Sequence, residues 1–259
     1  MPVTSQKLRG RVLSGLVALA ALLTMQGDVI AGTLASRLRA LDFSRSTVAV
    51  TLNPRIDDPF DQSTLRAPDG ALWTKWRQVQ SDAARDLDAV AACRADLINC
   101  YAAPALRFIE LVELAKHGSG RDRLERVNRA INAAIRYSSD LTQHGVIDLW
   151  SSPLASLESE RGDCEDYAIA KYYVLRSAGV PAGELRIVLV RDLDTQEYHA
   201  VLAARQDSEW LVLDNRRMTL LDSYGIQRLQ PLFAVDDQGV QMFNARFAGS
   251  SRIAVATNR

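Results

Sequence analysis

Cys164 is the residue of this chain whose type and setting best suit a nucleophile. It lies in the segment RGDCEDYAIAK, residues 161–171, where a helical pattern begins directly after a glycine and an aspartate. A thiol at a helix N-terminus lies at the positive end of the helix dipole, which favours the nucleophilic thiolate. A lone cysteine at a helix start is more often structural, so the prediction depends on an imidazole to exchange protons and a group to orient it.

His199 and Asp214 are the candidates for these two roles. They lie in strand-like runs at 198–204 and 210–214. If the runs pair through a two-residue or four-residue loop centred on residues 206–207, His199 is directly opposite Asp214, with Cβ atoms about 5 Å apart. An odd-length loop would place the aspartate on the other face. The sequence therefore predicts a Cys-His-Asp triad.

Three acidic residues, Asp163, Glu165 and Asp166, surround the cysteine. Their charges should raise the pKa of the thiol, which opposes its use as a nucleophile. The ordinary explanation is that acidic residues are favoured at helix N-termini. The alternative is a bound cation, because carboxylate oxygens are ligands that calcium takes, although the spacing is not that of an EF-hand.

Composition and length are typical of a globular protein with one large domain, or with a domain and a helical extension. It has 259 residues, of which 47% are hydrophobic and 24% charged. Lysine plus arginine and aspartate plus glutamate both number 31, so the net charge is zero. No nucleic-acid partner is expected, because there is no basic field or polybasic tail.

The N-terminus has the pattern of an export signal. Basic residues precede an apolar run over residues 12–25, and Val-Ile-Ala at 29–31 fits a cleavage site. The run is short for a membrane span, which needs about 20 apolar residues. We predict a signal peptide over 1–31 and export from the cytosol, with a membrane anchor or a buried helix as the alternatives.

The three cysteines of the chain are consistent with one free thiol outside the cytosol. Cys93 and Cys100 can pair only if the chain bends between them, because two turns of unbroken helix separate them by about 10 Å. Two buried free thiols are an equally good interpretation. Cys164 is the unpaired residue in either case.

Helical patterns precede strand patterns, which predicts an α+β fold with N-terminal helices packed on an antiparallel sheet. Asn128 and Asn132, four residues apart in a predicted helix over 121–137, are interpreted as solvated or helix-pairing rather than functional.

The other predicted features are a strand at 47–52, a break at Pro104, a loop at 138–150, less regular chain after 214 and a last strand at 242–247. The predicted segments are the signal (1–31), an N-terminal extension (32–70) that contains a loop at 53–70, one domain (71–248) and a tail (249–259). Within the domain, residues 71–160 are the helical part, and residues 161–248 hold the catalytic helix and the sheet.

Several of these segments resemble the bacterial transglutaminase-like cysteine proteinases, and among them the LapG-type periplasmic adhesin proteases. The resemblance covers roughly residues 73–215. The matching blocks are GDCEDYAIAK at 162–171, YHAVL at 198–202 and WLVLDN at 210–215, with 127–132 and 148–150 in the helical part.

The resemblance implies a papain-like, transglutaminase-like core. It assigns Cys164 as the nucleophile, His199 as base and acid, and Asp214 as the orienting group. It also implies a calcium ion on the acids beside the cysteine. The sequence-based expectation is therefore a calcium-dependent periplasmic cysteine endopeptidase.

The same resemblance implies a substrate and a partner. Members cut the N-terminal region of a giant surface adhesin at a di-alanine site, which releases the adhesin and disperses biofilm. An inner-membrane cyclic-di-GMP receptor sequesters the protease through its periplasmic domain. The alternatives are a transglutaminase, in which an amine replaces water, and a non-catalytic binding module on the same fold.

Overall fold

The computed structural model describes residues 59–222 and 226–244. The predicted signal over 1–31, the strand at 47–52 and the tail at 249–259 lie outside these residues and stay predictions. Within the described ranges, no helix is both long enough and apolar enough to cross a membrane.

Helices form the first half of the described chain, as the apolar periodicity predicts. The break that Pro104 predicts lies between the first two helices, and this proline occupies the first turn of the second, where its missing N–H is not needed. The six α-helices of the described ranges are α1 (Ala71–Ala95), α2 (Ala103–His117), α3 (Gly120–Ala134), α4 (Asp140–His144), α5 (Pro153–Ser159) and α6 (Cys164–Ser177).

A disulfide between Cys93 and Cys100 closes the connection from α1 to α2. Helix α1 ends at Ala95, so the chain bends between the two cysteines and brings their Cα atoms to 5.1 Å. The structure thus selects pairing over two buried thiols. Cys164 is left as the free cysteine.

A six-stranded antiparallel sheet forms the second half and confirms the predicted α+β class. Its strand order is β1-β8-β7-β4-β5-β6. The strands of the described chain are β1 (Thr64–Arg66), β2 (Arg136–Tyr137), β3 (Arg161–Gly162), β4 (Leu185–Asp192), β5 (Tyr198–Gln206), β6 (Glu209–Leu213), β7 (Leu229–Asp236) and β8 (Gly239–Phe243).

The two ends of the sheet differ from the sequence prediction. The predicted loop at 53–70 contains β1, which pairs with β8, a partner more than 170 residues away that no local pattern reveals. The chain after 214 is also more regular than predicted, because β7 accommodates Pro231 where the β4–β7 register shifts. Strand β8 begins three residues before the predicted last strand and ends at Phe243.

Helix α6 is the element that fixes the position of Cys164. Every residue from Asp166 to Leu175 is buried, because the helix packs against β4 and β5 on one side and against α2, α3 and α5 on others. Burying each large apolar side chain of such a helix contributes about 1.5–3 kcal/mol. The helix stops just before Gly179, whose φ of 94° suits a residue without a side chain.

The hairpin of β5 and β6 has a different register from the predicted one. Its two-residue loop is Asp207-Ser208, both with positive φ, so Gln206 pairs with Glu209 and Leu202 with Leu213. The prediction that His199 is directly opposite Asp214 is therefore wrong. The shift is two residues, an even number, so both side chains stay on the same face.

A short parallel pair, β2 with β3, joins the helical part to the start of α6. Arg136 pairs with Arg161 and Tyr137 with Gly162, and Ser138 donates its N–H to the Gly162 carbonyl at 2.9 Å. The predicted loop at 138–150 contains helix α4, which this pairing holds close to the N-terminus of α6.

Candidate active site

The hydrogen bond between His199 and Asp214 is the centre of the candidate site. His199 Nε2 and Asp214 Oδ1 are 2.9 Å apart, and the two residues are 4% and 3% exposed. With Nε2–H donated to the carboxylate, the other ring nitrogen, Nδ1, is the proton acceptor. Within the described residues Nδ1 has no hydrogen-bond partner.

Asp214 is held as a carboxylate by its surroundings. Burial would raise its pKa, but the hydrogen bond and charge of His199, the Arg216 N–H and the Lys171 ammonium outweigh burial and lower the pKa. The Arg216 N–H donates to the same Oδ1 atom at 2.9 Å. An ionised Asp214 fixes the tautomer of His199 and stabilises an imidazolium.

Cys164 is the first residue of α6, as predicted, and its thiol donates to Glu165 Oε2 at 2.9 Å. Burial raises the pKa of the thiol, and the charges of Glu165 and Asp163 raise it further. The backbone N–H of Ala200 lowers the pKa of the thiol, against these larger effects. Because Ala200 follows His199, this contact places the thiol beside the strand that carries the imidazole.

The three acids predicted as metal ligands lie in two overlapping clusters that share Asp163. Donor atoms of Asp163, Cys164 and Glu165 lie within 4.8 Å of one another, and so do those of Asp140, Asp163 and Asp166. Asp140 was missed by the sequence analysis. It belongs to α4, and the β2–β3 pairing that brings it here has no local signal.

The carboxylates of the second cluster are held by backbone N–H groups. Asp166 accepts from Ser151 at 2.8 Å and from Asp163 at 3.3 Å, and Asp140 accepts from the Leu149 N–H. Gly162 makes this packing feasible, because a Cβ at that position would lie 2.5 Å from Asp166 Oδ2.

These carboxylates fit a divalent cation. Burial, with repulsion from Glu165, raises the pKa of Asp163 to about 10, and burial raises that of Asp166 to about 7. The pKa of Asp140 is also raised by burial. Asp163 Oδ1 has no hydrogen-bond partner within the described residues. Oxygen donors that repel one another are the ligand set that calcium takes.

Lys171 is a second feature that the sequence analysis missed. It lies two turns along α6 from Cys164, is completely buried, and has its ammonium 5.9 Å from the centroid of the Tyr167 ring. Burial lowers its pKa to about 7, against the attraction of Asp214. A fully buried lysine is rare in proteins, and the negative charge it faces belongs to the candidate triad.

Neither Asn128 nor Asn132 pairs two helices, and Asn128 is not solvated, so that interpretation is wrong; Asn132 is half-buried. Asn128 is completely buried, and both side chains donate to carbonyls of the turn after β6. The four-residue spacing indicated a shared helix face, but the partner turn lies more than 80 residues away and could not be inferred.

Comparisons with known proteins bear on this site. The family model of the bacterial transglutaminase-like cysteine proteinases, BTLCP, matches residues 88–224, more than half of the chain. No curated protein matches the chain. The solved structure of LapG from Legionella pneumophila is 25% identical, with a TM-score of 0.48, covering 71% of this chain and 94% of that one.

Two further structures of the same Legionella protein are similar at 25% identity. The EGTA-treated form has a TM-score of 0.49 and covers 71% of this chain and 90% of that one. The calcium-bound form has a TM-score of 0.41 and covers 57% and 93%. The family assignment rests on the family model.

Proposed function

Because the chain belongs to the bacterial transglutaminase-like cysteine proteinase family, we propose that it is a calcium-dependent cysteine endopeptidase. The observation that supports this most is the buried His199–Asp214 hydrogen bond, in a chain whose one free cysteine lies at the N-terminus of α6. A cysteine, a histidine and an aspartate that orients the histidine are the residue types that thiol-dependent acyl transfer needs.

In the proposed reaction, His199 Nδ1 takes the proton of Cys164, and the thiolate attacks the carbonyl carbon of the scissile peptide bond. The imidazolium then protonates the leaving amine, which gives a thioester between Cys164 and the substrate. His199 next removes a proton from water, and the resulting attack releases the acid and the thiol. Asp214 orients the ring and stabilises the imidazolium throughout.

Asp140, Asp163 and Asp166 would hold the calcium ion, with Glu165 at the edge of the cluster. A bound divalent cation supplies positive charge beside the thiol. Without it, the charges of Glu165 and Asp163 raise the pKa of Cys164 and keep its proton on the sulfur. Neutralising these charges makes the thiolate accessible at neutral pH.

The proposed substrate is the N-terminal region of a large cell-surface adhesin, whose cleavage releases the adhesin and promotes biofilm dispersal. The proposed location is the periplasm, and the proposed regulator is the periplasmic domain of an inner-membrane cyclic-di-GMP receptor. The resemblance of the block at residues 162–171 to LapG-type proteases supports these proposals. The Cys93–Cys100 disulfide supports the location, because disulfides persist in oxidising compartments.

The test is incubation of the protein with the N-terminal region of a candidate adhesin, followed by mass mapping of the products. We expect one cut with calcium, none with excess EGTA, and recovery when calcium is restored. Cys164→Ala should remove cleavage while the protein stays folded by circular dichroism. Retained cleavage by this variant would exclude the proposed mechanism.

An excess of a primary amine in the same reaction separates the protease from a transglutaminase. A protease gives a free carboxylate at the cut even with amine present, whereas a transglutaminase incorporates the amine. A binding module would hold the fragment without changing its mass.

A further inference from the structure

We propose that Asn128 and Asn132 of α3 are positioning residues of the triad, which hold the turn that carries Asp214. The inference rests on the proposed function, because it assigns these side chains a role in the same reaction. Neither residue touches the thiol or the imidazole in the hydrogen bonds of the described chain. They act through the backbone of the turn.

Three hydrogen bonds join the two side chains to this turn. Asn132 Nδ2 donates to the Asp214 carbonyl at 2.9 Å and to the Arg217 carbonyl at 2.9 Å. Asn128 Nδ2 donates to the same Arg217 carbonyl at 2.7 Å. One helix face thus fixes the first and the last residue of the turn from 214 to 217.

The turn needs this support because its own hydrogen bond is long. The Arg217 N–H lies 3.3 Å from the Asp214 carbonyl, compared with the 2.9 Å of the bond from Asn132. Asp214 is the first residue after β6, so the strand ladder does not hold its carbonyl. The position of its carboxylate therefore depends on the turn.

The same turn directs the carboxylate at His199. The Arg216 N–H donates to Asp214 Oδ1, the atom that also accepts from His199 Nε2, both at 2.9 Å. A displaced turn moves both bonds at once. Displacements of about 1 Å in a catalytic group can lower a rate by about 100-fold.

Asparagine suits this role because its amide nitrogen carries two hydrogens and can serve two carbonyls. Leucine has a similar shape without a donor, so Asn132→Leu removes both bonds while filling the same space. Asn128→Leu removes one bond and leaves the Asp214 carbonyl served by Asn132. Ile131→Val, on the same helix, is the control, because it perturbs buried packing without removing a donor.

Two readouts that need no substrate test the proposal in the full chain with calcium present. The first is the labelling rate of Cys164 by iodoacetamide at fixed pH, followed by mass spectrometry. The second is the downfield proton NMR signal of the His199 Nε2–H, assigned with the His199→Gln variant. Circular dichroism confirms that each variant is folded.

We expect Asn132→Leu to lower the labelling rate by roughly 10–100-fold and to shift or broaden the His199 signal. Asn128→Leu should give a smaller loss in the same direction, and Ile131→Val should match the wild type in both readouts. If Asn132→Leu does not fold, Asn132→Ser replaces it, because one hydroxyl hydrogen cannot serve two carbonyls, and a loss of several-fold is expected.

Wild-type labelling and an unchanged His199 signal in a folded Asn132 variant would overturn the inference. Equal loss in Ile131→Val would also overturn it, because general loosening of α3 would then explain the effect. A wrong proposed function would give a different result from a wrong role of the asparagines. In that case His199→Gln leaves the labelling rate of Cys164 unchanged, whatever the asparagine variants do.

Discussion

The carboxylate of Asp214 and the carboxylates at the start of α6 have opposite electrostatic environments. Asp214 accepts hydrogen bonds from His199 and Arg216 and faces the ammonium of Lys171, so its pKa is lowered despite burial. In the other group, burial and mutual repulsion raise the pKa of Asp163 to about 10 and that of Asp166 to about 7.

The contrast shows which carboxylates have their negative charge balanced by other residues of the chain. Donors and positive charge from the chain stabilise Asp214 as an anion. The acids at the start of α6 receive backbone N–H groups, but their repulsion is not balanced, and Asp163 Oδ1 has no partner within the described residues. The first arrangement is typical of a preorganised catalytic group and the second of a cation site.

The largest effect should follow from Asp214→Asn. The amide keeps the shape, but it cannot stabilise an imidazolium and favours the wrong tautomer of His199. We expect the cleavage rate to fall by about 10²–10⁴-fold, with little change in calcium affinity. Rate measurements with the adhesin fragment and a calcium titration check both parts. A variant of normal activity would remove Asp214 from the reaction.

Asp163→Asn should weaken calcium binding by the acids at the start of α6. For the wild type, calcium at 100 times its Kd should raise the free energy of unfolding by about 2.7 kcal/mol. The variant should lose most of this gain, because Asp163 is shared by both clusters. In EGTA the variant should be at least as stable as the wild type, because the neutral amide avoids the cost of burying a carboxyl that must take up a proton on folding. Thermal unfolding with and without calcium measures both. Asp122→Asn, on the exposed surface of α3, is the control.

The calcium-free protein should become less stable as pH rises from about 4.5 to 6.5. The folded-state pKa values of Asp163 and Asp166 lie above their unfolded values, so the folded state binds more protons and loses stability as they are removed. A decrease of roughly 1–3 kcal/mol is expected. Saturating calcium should flatten the slope. A calcium-free protein whose stability rises over this range would contradict the raised pKa values.

Lys171→Met should give the smallest effect, and it tests whether the charge of the lysine lowers the pKa of Asp214. Methionine fills a similar volume without the cost of burying an ammonium, so the free energy of unfolding should rise by about 1 kcal/mol. The loss of positive charge should raise the pKa of Asp214 and move the acid limb of the activity profile to higher pH. An unchanged acid limb would show that the lysine does not act on Asp214.

Local patterns were sufficient to predict α6, the hairpin and the contact between His199 and Asp214. The glycine before Asp163 and the glycine after the helix delimit α6, and alternation marks β5 and β6. The register was wrong because two positive-φ residues, Asp207 and Ser208, form the loop, and neither is a glycine. The His199–Asp214 contact is still formed, because a register shift of two residues keeps both side chains on the same face of the sheet.

The missed residues share a physical cause. Asp140 reaches the acidic cluster through the β2–β3 pairing, and the asparagines reach Asp214 across more than 80 residues. Their partners are set by tertiary packing, which leaves no periodicity in the sequence. Lys171 was missed because its position continues the helical pattern, and its complete burial depends on the elements around α6.

The labelling rate of Cys164 by iodoacetamide as a function of calcium concentration tests the claim that calcium makes this thiol reactive. It needs no substrate and reports on the thiol that the acids surround. We expect slow labelling in EGTA and a rise that saturates with one calcium ion per chain. We also expect Asp163→Asn to abolish this rise. A labelling rate that is the same in EGTA and in saturating calcium would contradict the claim.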